Sequence, residues 1–203
     1  MWAESYERSV TDVFAIQYDV ARRIAQSLKF ELLPSTREML TTRATANPTA
    51  YEAYLKGRYY WNKRTEQGLK KAISYFEQSI LQDASYALAY SGLADTYMLL
   101  AAYGLLPPAE AMKKAEGAAV KAVELDDSLA ESHASLGEVK AFFDWDWSGA
   151  EKEYQRAIEL NPGYATGYHW YANFLSMMDR QSEALIEVSQ ATQLDPLDRK
   201  SVV

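Results

Sequence analysis

The feature that most constrains the fold is a pattern of 14 residues that occurs four times along the chain. Each copy begins with alanine, has an apolar residue four positions later and a small residue three positions after that, and reaches a turn residue after five more. The copies begin at Ala72, Ala115, Ala150 and Ala184. Their turn residues lie 43, 35 and 34 residues apart. A pattern that recurs at this period indicates a repeat architecture, in which each unit buries its apolar face against its neighbours.

A second shared pattern lies in front of each copy. The segments "AYLKGRYY", "YSGLADTY", "HASLGEVK" and "YHWYANFL" place a bulky residue, a leucine or substitute, a small residue and usually an aromatic residue at helical spacing. Each unit is therefore predicted to be two antiparallel helices, called A and B. The small residues of the A helices should let the B helices approach closely; they are Gly57, Ala94, Gly137 and Ala172.

Together the two patterns resemble the tetratricopeptide repeat, a unit of about 34 residues with the pattern W-x2-L-G-x2-Y, then A-x3-F, A and P. The resemblance covers residues 47–197, in units of about 50–85, 87–128, 130–163 and 165–197. It implies an all-α, right-handed solenoid of four helix pairs with the A helices on its concave side. The first unit departs from the pattern at Lys56 and Ala84, and the second at Asp127.

Residues 1–46 precede the repeats, and residues 198–203 form a tail. One apolar face predicts a helix over about residues 12–31 in this N-terminal linker segment. The segment "WAESYERSVTDVFAIQYDVARRIAQSL" also resembles the linker that precedes tetratricopeptide repeats in multidomain bacterial regulators, cyclases and kinases. We therefore expect the chain to be a fragment or a stand-alone relative of such a protein.

The intervals between units locate three insertions. Unit one has about three extra residues around "KRTEQG", unit two about nine around "AAYGLLPPAEAM", and unit three has one, which we assign to "DWDWSG". The apolar insertion of unit two either covers the stack or binds a ligand. In "DWDWSG", Ser148 and Glu151 are predicted to form a capping box at the start of a B helix. Trp145 is then left for an outside partner.

Composition and charge exclude several classes of function. No apolar run reaches the roughly 20 residues of a membrane span. The N-terminus also lacks the pattern of a signal peptide, so a cytoplasmic location is expected. The chain has no cysteine and a net charge of −7. Residues 130–203 carry twelve acidic and six basic groups, which disfavours nucleic acid and anionic membranes as partners. The basic and aromatic segment "LKGRYYWNKR" could hold a single strand, but the charge of the whole chain opposes this.

Motifs for catalysis are also missing. The sequence has no glycine-rich phosphate loop and no G-x-S-x-G motif. His133 and His169 stand alone, His133 at a packing position and His169 toward the groove, and the acidic pairs lie at turns, where aspartate usually caps backbone amides. We therefore predict no enzyme activity, cofactor or metal site.

The concave surface is the predicted binding site. Tyr54, Arg58 and Trp61 follow one another at i, i+4 and i+7, and these residue types often anchor interfaces. The alternative is that these side chains pack against the N-terminal helix. The Lys and Asn clamp with which related repeats hold a chaperone tail is missing. The full set of predicted groove residues is Tyr51, Tyr54, Arg58, Trp61, Asn62, Asp95, Met98, Glu138, Phe142, His169 and Asn173.

The sequence thus predicts a non-catalytic scaffold for protein–protein interaction, a module of a bacterial signalling or transcription-regulatory protein that binds a peptide or partner domain in this groove. A self-assembly or linker module is one alternative, because no capping helix is evident after Pro196 and the last B helix would expose Leu185, Val188 and Leu194 to a second copy. A small-molecule sensor that uses residues 105–108 is another alternative.

Overall fold

A computed structural model describes residues 45–196 of the chain. Within this range the secondary structure is helical, with no strand. The helices are α1 (Pro48–Asn62), α2 (Glu66–Gln82), α3 (Ala87–Ala102), α4 (Pro108–Leu125), α5 (Ala130–Val139), α6 (Trp147–Leu160), α7 (Ala165–Met177) and α8 (Gln181–Leu194), and a π-helical turn, Lys140–Asp144, continues α5. The all-α class and the four helix pairs are therefore confirmed. The predicted helix over residues 12–31, the rest of the linker segment and the tail lie outside the described residues.

The helix pairs stack so that each A helix (α1, α3, α5, α7) touches the A helix of the next unit. Each of the B helices α2, α4 and α6 packs against both its own A helix and the A helix that follows. The A helices consequently form one continuous inner layer. None of the helices in residues 45–196 combines the length and the apolar character that a membrane crossing requires.

Phe76 holds the first two units together. Its ring is fully buried and lies against two glycines, Gly57 on α1 and Gly92 on α3. A Cβ atom built on either glycine would lie 2.5 Å from the ring. Tyr154 plays a similar part in unit three, where a Cβ on Gly137 would lie 3.0 Å from its ring. The predicted role of Gly57 and Gly137 is thus confirmed, whereas the part played by Gly92 was not foreseen.

The extra residue of unit three lies in the π-helical turn, slightly earlier in the chain than predicted. A π turn contains one more residue than an α turn, so it absorbs an insertion without breaking the helix. Trp145 then ends the turn in the left-handed region at φ 57°, and the Asp146 backbone N–H donates to the Lys140 carbonyl at 3.0 Å.

The start of α6 differs from the predicted capping box. The helix begins at Trp147, and the Asp146 side chain caps it by accepting the Gly149 backbone N–H at 2.9 Å. Ser148 lies inside the first turn and so cannot be the cap. The prediction was wrong because the π turn places the chain reversal before Asp146.

The apolar insertion of unit two covers the stack. Leu105 and Leu106 pack against the core cluster that contains Trp61, Leu69 and Phe76. Their half-buried side chains close the end of the α3/α4 pair, so the covering role is the one that these contacts favour.

Candidate functional site

A cavity of about 270 Å³ crosses the inner layer of A helices. We call it the groove cavity. It is lined by Trp61, Arg64, Leu99, Tyr103, Glu138, Thr166, His169, Trp170 and Asn173. Residues from all four units therefore meet in one concave surface, among them the predicted groove residues Trp61, Glu138, His169 and Asn173.

The aromatic and basic stripe of α1 is mostly engaged within the protein. Trp61 is only 2% exposed, and the guanidinium carbons of Arg58 and Arg64 lie 4.2 and 3.7 Å from its ring centroid. Tyr54 packs edge-on against Tyr86, with ring centroids 5.4 Å apart. Trp61 is therefore a buried part of the cavity wall and does not form the exposed anchor that the sequence predicted.

Arg58 links the first unit to the second through Asp95. Its Nη1 atom lies 3.1 Å from Asp95 Oδ2, and the Ser135 hydroxyl of α5 donates to Asp95 Oδ1 at 2.6 Å. Ser91 and Ser135 share a further hydrogen bond of 2.7 Å. Burial raises the pKa of Asp95, while the Arg58 charge opposes that shift. Asp95 is 3% exposed, so it is buried between Arg58 of α1 and Ser135 of α5 and does not offer a carboxylate to a partner as predicted.

A second cavity, of about 280 Å³, opens beside the first between α3, α4, α5 and the π turn. We call it the apolar pocket. It is lined by Met98, Leu99, Ala101, Ala102, Pro108, Met112, Glu138 and Phe142. Leu99 and Glu138 line both cavities. The apolar pocket thus brings together the predicted residues Met98, Glu138 and Phe142 and adjoins the groove cavity.

Glu138 is the carboxyl group at this junction. Burial raises its pKa to about 8, and the nearby charge of Asp95 acts in the same direction. The Tyr154 hydroxyl donates to Glu138 Oε1 at 2.8 Å and partly offsets the shift. At neutral pH the group is consequently held largely as the neutral acid.

Five predicted residues line neither cavity: Tyr51, Tyr54, Arg58, Asn62 and Asp95. Tyr51 packs against a small cluster around Ala50, Tyr86 and Ala89. Asn62 is exposed at the last position of α1.

Several lining residues were not predicted. Thr166 lies three residues before His169 and seven before Asn173, so the helical period of α7 could have revealed it. Arg64 and Tyr103 lie just beyond the ends of α1 and α3. Helical periodicity does not extend past a helix end, so it gave no signal for these two residues.

His133 has a structural role. It is 6% exposed; its Nδ1 lies 2.7 Å from Glu153 Oε2 and its Nε2 lies 2.9 Å from the Asp127 carbonyl. The hydrogen bond to Glu153 raises the pKa of His133. Glu153 also accepts from Lys140 Nζ at 2.5 Å, so this cluster ties α5 to α6. No group of three or more potential metal ligands occurs in the part of the chain that the structure describes.

The corner between α5 and α6 exposes aromatic rings. Trp145 is 70% and Trp147 46% exposed, and their ring centroids lie 6.3 Å apart in an edge-on arrangement. Trp145 is thus on the surface, as its predicted availability to an outside partner requires.

Comparisons with known proteins agree with this architecture. The family model of the tetratricopeptide repeat matches residues 153–186, from α6 into α8. The four helix pairs have the fold of tetratricopeptide repeats. A solved tetratricopeptide repeat protein from Thermus thermophilus is 17% identical, with a TM-score of 0.62 over 94% of this chain and 90% of that one. The first such domain of Spaghetti (RPAP3), solved with a bound HSP90 peptide, is 18% identical, with a TM-score of 0.51 over 66% of this chain and 99% of that one.

Two curated relatives are larger proteins. The transcriptional regulator HilA of Salmonella typhimurium is 27% identical over 143 residues, which cover 70% of this chain and 26% of HilA. The putative adenylate cyclase 3 of Rhizobium meliloti is 28% identical over 194 residues, which cover 91% of this chain and 26% of the cyclase. The chain thus spans about a quarter of the length of these relatives.

Proposed function

We propose that this tetratricopeptide repeat domain is a non-catalytic scaffold that binds a peptide or partner domain on its concave face. The observation that carries the proposal is the groove cavity, which brings residues of all four units into one surface. Its wall combines the aromatic rings of Trp170 and Tyr103 with the polar side chains of His169 and Asn173. Aromatic anchors beside polar groups are typical of surfaces that bind peptides and proteins.

The similar proteins support this proposal from two sides. Spaghetti (RPAP3) was solved with an HSP90 peptide, so the same fold holds a peptide in that protein. HilA and the putative cyclase are bacterial proteins named for regulation and for nucleotide cyclisation. We therefore infer that this domain acts in a bacterial signalling or transcription-regulatory protein, in the cytoplasm, by bringing a partner protein to it.

The carboxyl groups at the groove disfavour an acidic tail as the partner, whereas Arg64 and His169 supply its basic lining. Arg58, the cation of the predicted stripe, already pairs with Asp95, and Glu138 lines the groove as well. An acidic peptide would bring further carboxylates toward Asp95 and Glu138, which raises the free-energy cost of ionising these two carboxyl groups. A neutral or basic peptide avoids that cost.

Filling the groove should weaken partner binding. Asn173 is exposed and lines the groove cavity, so Asn173→Arg places a long side chain where the peptide is proposed to lie. Peptides selected from a random display library on the full chain should bind this variant at least about tenfold more weakly, a loss of about 1.4 kcal/mol. Isothermal titration calorimetry measures the change.

Gln78→Arg is the matched control, because Gln78 is an exposed amide on the B helix α2. It should leave the affinity unchanged. Equal affinities of the two variants would place the peptide elsewhere, and a library that yields no binding peptide would contradict the proposed function itself.

A second candidate function is association through α8. Leu185 and Ile186 are both 66% exposed on this helix, which favours the docking of another apolar surface. A double change, Leu185→Glu with Ile186→Glu, should then convert a concentration-dependent oligomer into a monomer in light scattering. Leu81→Glu is the control, because Leu81 is 83% exposed on α2. A monomeric unaltered chain at high concentration would remove this candidate.

A further inference from the structure

The apolar pocket has the composition of a site for one side chain. Its walls are Met98, Met112, Phe142 and smaller apolar residues, and Glu138 is the only ionisable lining residue within the described range 45–196. Methionine side chains adapt to the shape of what they contact. The pocket therefore offers an apolar channel that ends at a single carboxyl group.

Glu138 differs from two other shielded carboxylates, Asp95 and Glu153, which pair with cations. Asp95 pairs with Arg58, and Glu153 pairs with Lys140. Among residues 45–196, the hydrogen-bond partner of Glu138 is the Tyr154 hydroxyl, and no lysine, arginine or histidine forms an ion pair with it. A desolvated carboxyl without a cation is complementary to a cation supplied from outside.

The π-helical turn places an aromatic ring at the mouth of this pocket. Phe142 lies in the middle of the turn, lines the pocket and remains 42% exposed. Single π turns inside α-helices often occur at functional sites. An aromatic face beside a carboxyl group favours a cation, because both attract positive charge.

We propose that the apolar pocket binds a lysine side chain of the peptide held in the groove. The methylene groups of the lysine lie against Met98, Met112 and the Phe142 ring, and its ammonium group donates to Glu138. This inference rests on the proposed function and names the chemistry of the partner at one position. An acidic side chain would place a second carboxyl group beside Glu138, where the two ionised forms repel each other, and an aliphatic side chain would gain nothing from it.

The pocket and the groove are placed so that one peptide can use both. Leu99 and Glu138 belong to the wall of each cavity. A main chain in the groove cavity therefore passes the mouth of the pocket, and one of its side chains can enter while its neighbours contact α7.

Binding of an ammonium group requires the ionised form of Glu138. The titratable and charged groups that face Glu138 are Asp95 on α3 and Tyr154 on α6, with Arg64 and His169 across the groove cavity. Because the pKa of free Glu138 is about 8, lysine binding displaces its proton. The affinity for a lysine peptide should therefore rise as the pH increases from 6 to 8.

The test compares peptides selected by display on the full chain and on Glu138→Gln. Selection on the unaltered chain should enrich lysine at one position, and selection on Glu138→Gln should lose that preference. A selected peptide is then synthesised with the lysine and with norleucine, which keeps the stem but has no charge. The substitution should weaken binding at least about tenfold on the unaltered chain and less than about threefold on Glu138→Gln.

Three other outcomes would decide against the inference. Equal losses on both proteins, or no enrichment of a basic residue, would overturn it while the proposed function stands, provided that Asn173→Arg still blocks binding. Failure to select any peptide would contradict both. Binding of n-butylammonium without any peptide would identify a small-amine site instead. If Glu138→Gln did not fold, the lysine and norleucine peptides compared on the unaltered chain at pH 6 and 8 would decide, because only the lysine peptide should gain affinity.

Discussion

Replacement of Phe76 by alanine should lower the free energy of unfolding by about 3–5 kcal/mol, measured by urea denaturation followed by circular dichroism. The ring is fully buried and lies between Gly57 and Gly92, which have no side chains to move into the space. The cavity therefore cannot collapse, and the loss should fall in the upper part of that range. Both α1 and α3 lose a contact with this ring, so the packing between the first two units should weaken.

The matched control is Leu81→Ala on the same helix. Leu81 is 83% exposed, and its truncation should change the free energy of unfolding by less than about 0.5 kcal/mol. A Phe76→Ala variant as stable as this control would contradict the close packing of the Phe76 ring against the two glycines.

Glu138→Gln should make the protein more stable than the unaltered chain at pH 8, by about 2–4 kcal/mol, with little difference at pH 5. The folded state keeps a proton on Glu138 up to about pH 8, whereas the unfolded state releases it near the ordinary glutamate value of 4.5. The unfolded state therefore binds fewer protons across this interval, and the stability of the unaltered chain falls as the pH rises. Glutamine remains neutral at every pH, so the variant does not lose stability in this way as the pH rises.

The measurement is a series of urea titrations between pH 5 and 8 on both proteins. Other groups titrate in both chains alike, so the difference between the two curves isolates Glu138. Glu77→Gln, which removes an exposed carboxyl group on α2, is the matched control. A constant gap between Glu138→Gln and the unaltered chain would show that Glu138 is ionised in the folded protein.

The helices and their pairing could be predicted from the sequence because they depend on the spacing of residues that are close together in the chain. The spacing of Ala72, Ala115, Ala150 and Ala184 located each B helix, and all four side chains are buried in the structure. A helical period of 3.6 residues places such positions on one face whatever the rest of the chain does. The helix pairs and the small residues Gly57 and Gly137 could therefore be predicted without a structure.

The candidate site was only partly predictable. Helical period predicted Glu138, His169 and Asn173 for the inner surface, and all three line the groove cavity. It also placed Trp61 and Asp95 there, but neighbouring units cover these two side chains. Their burial depends on contacts between residues more than 30 positions apart, such as Arg58 with Asp95, and no local pattern reports such a contact.

The sequence by itself determined the number of units and their helices, because these features repeat at fixed spacing. Only the tertiary structure decided which inner side chains are engaged by a neighbour and which line a cavity. It also decided that the extra residue of unit three becomes a π turn, which places Phe142 beside Glu138. The physical reason is that stacking sets distances between units, and those distances decide burial, charge pairing and the pKa of a carboxyl group.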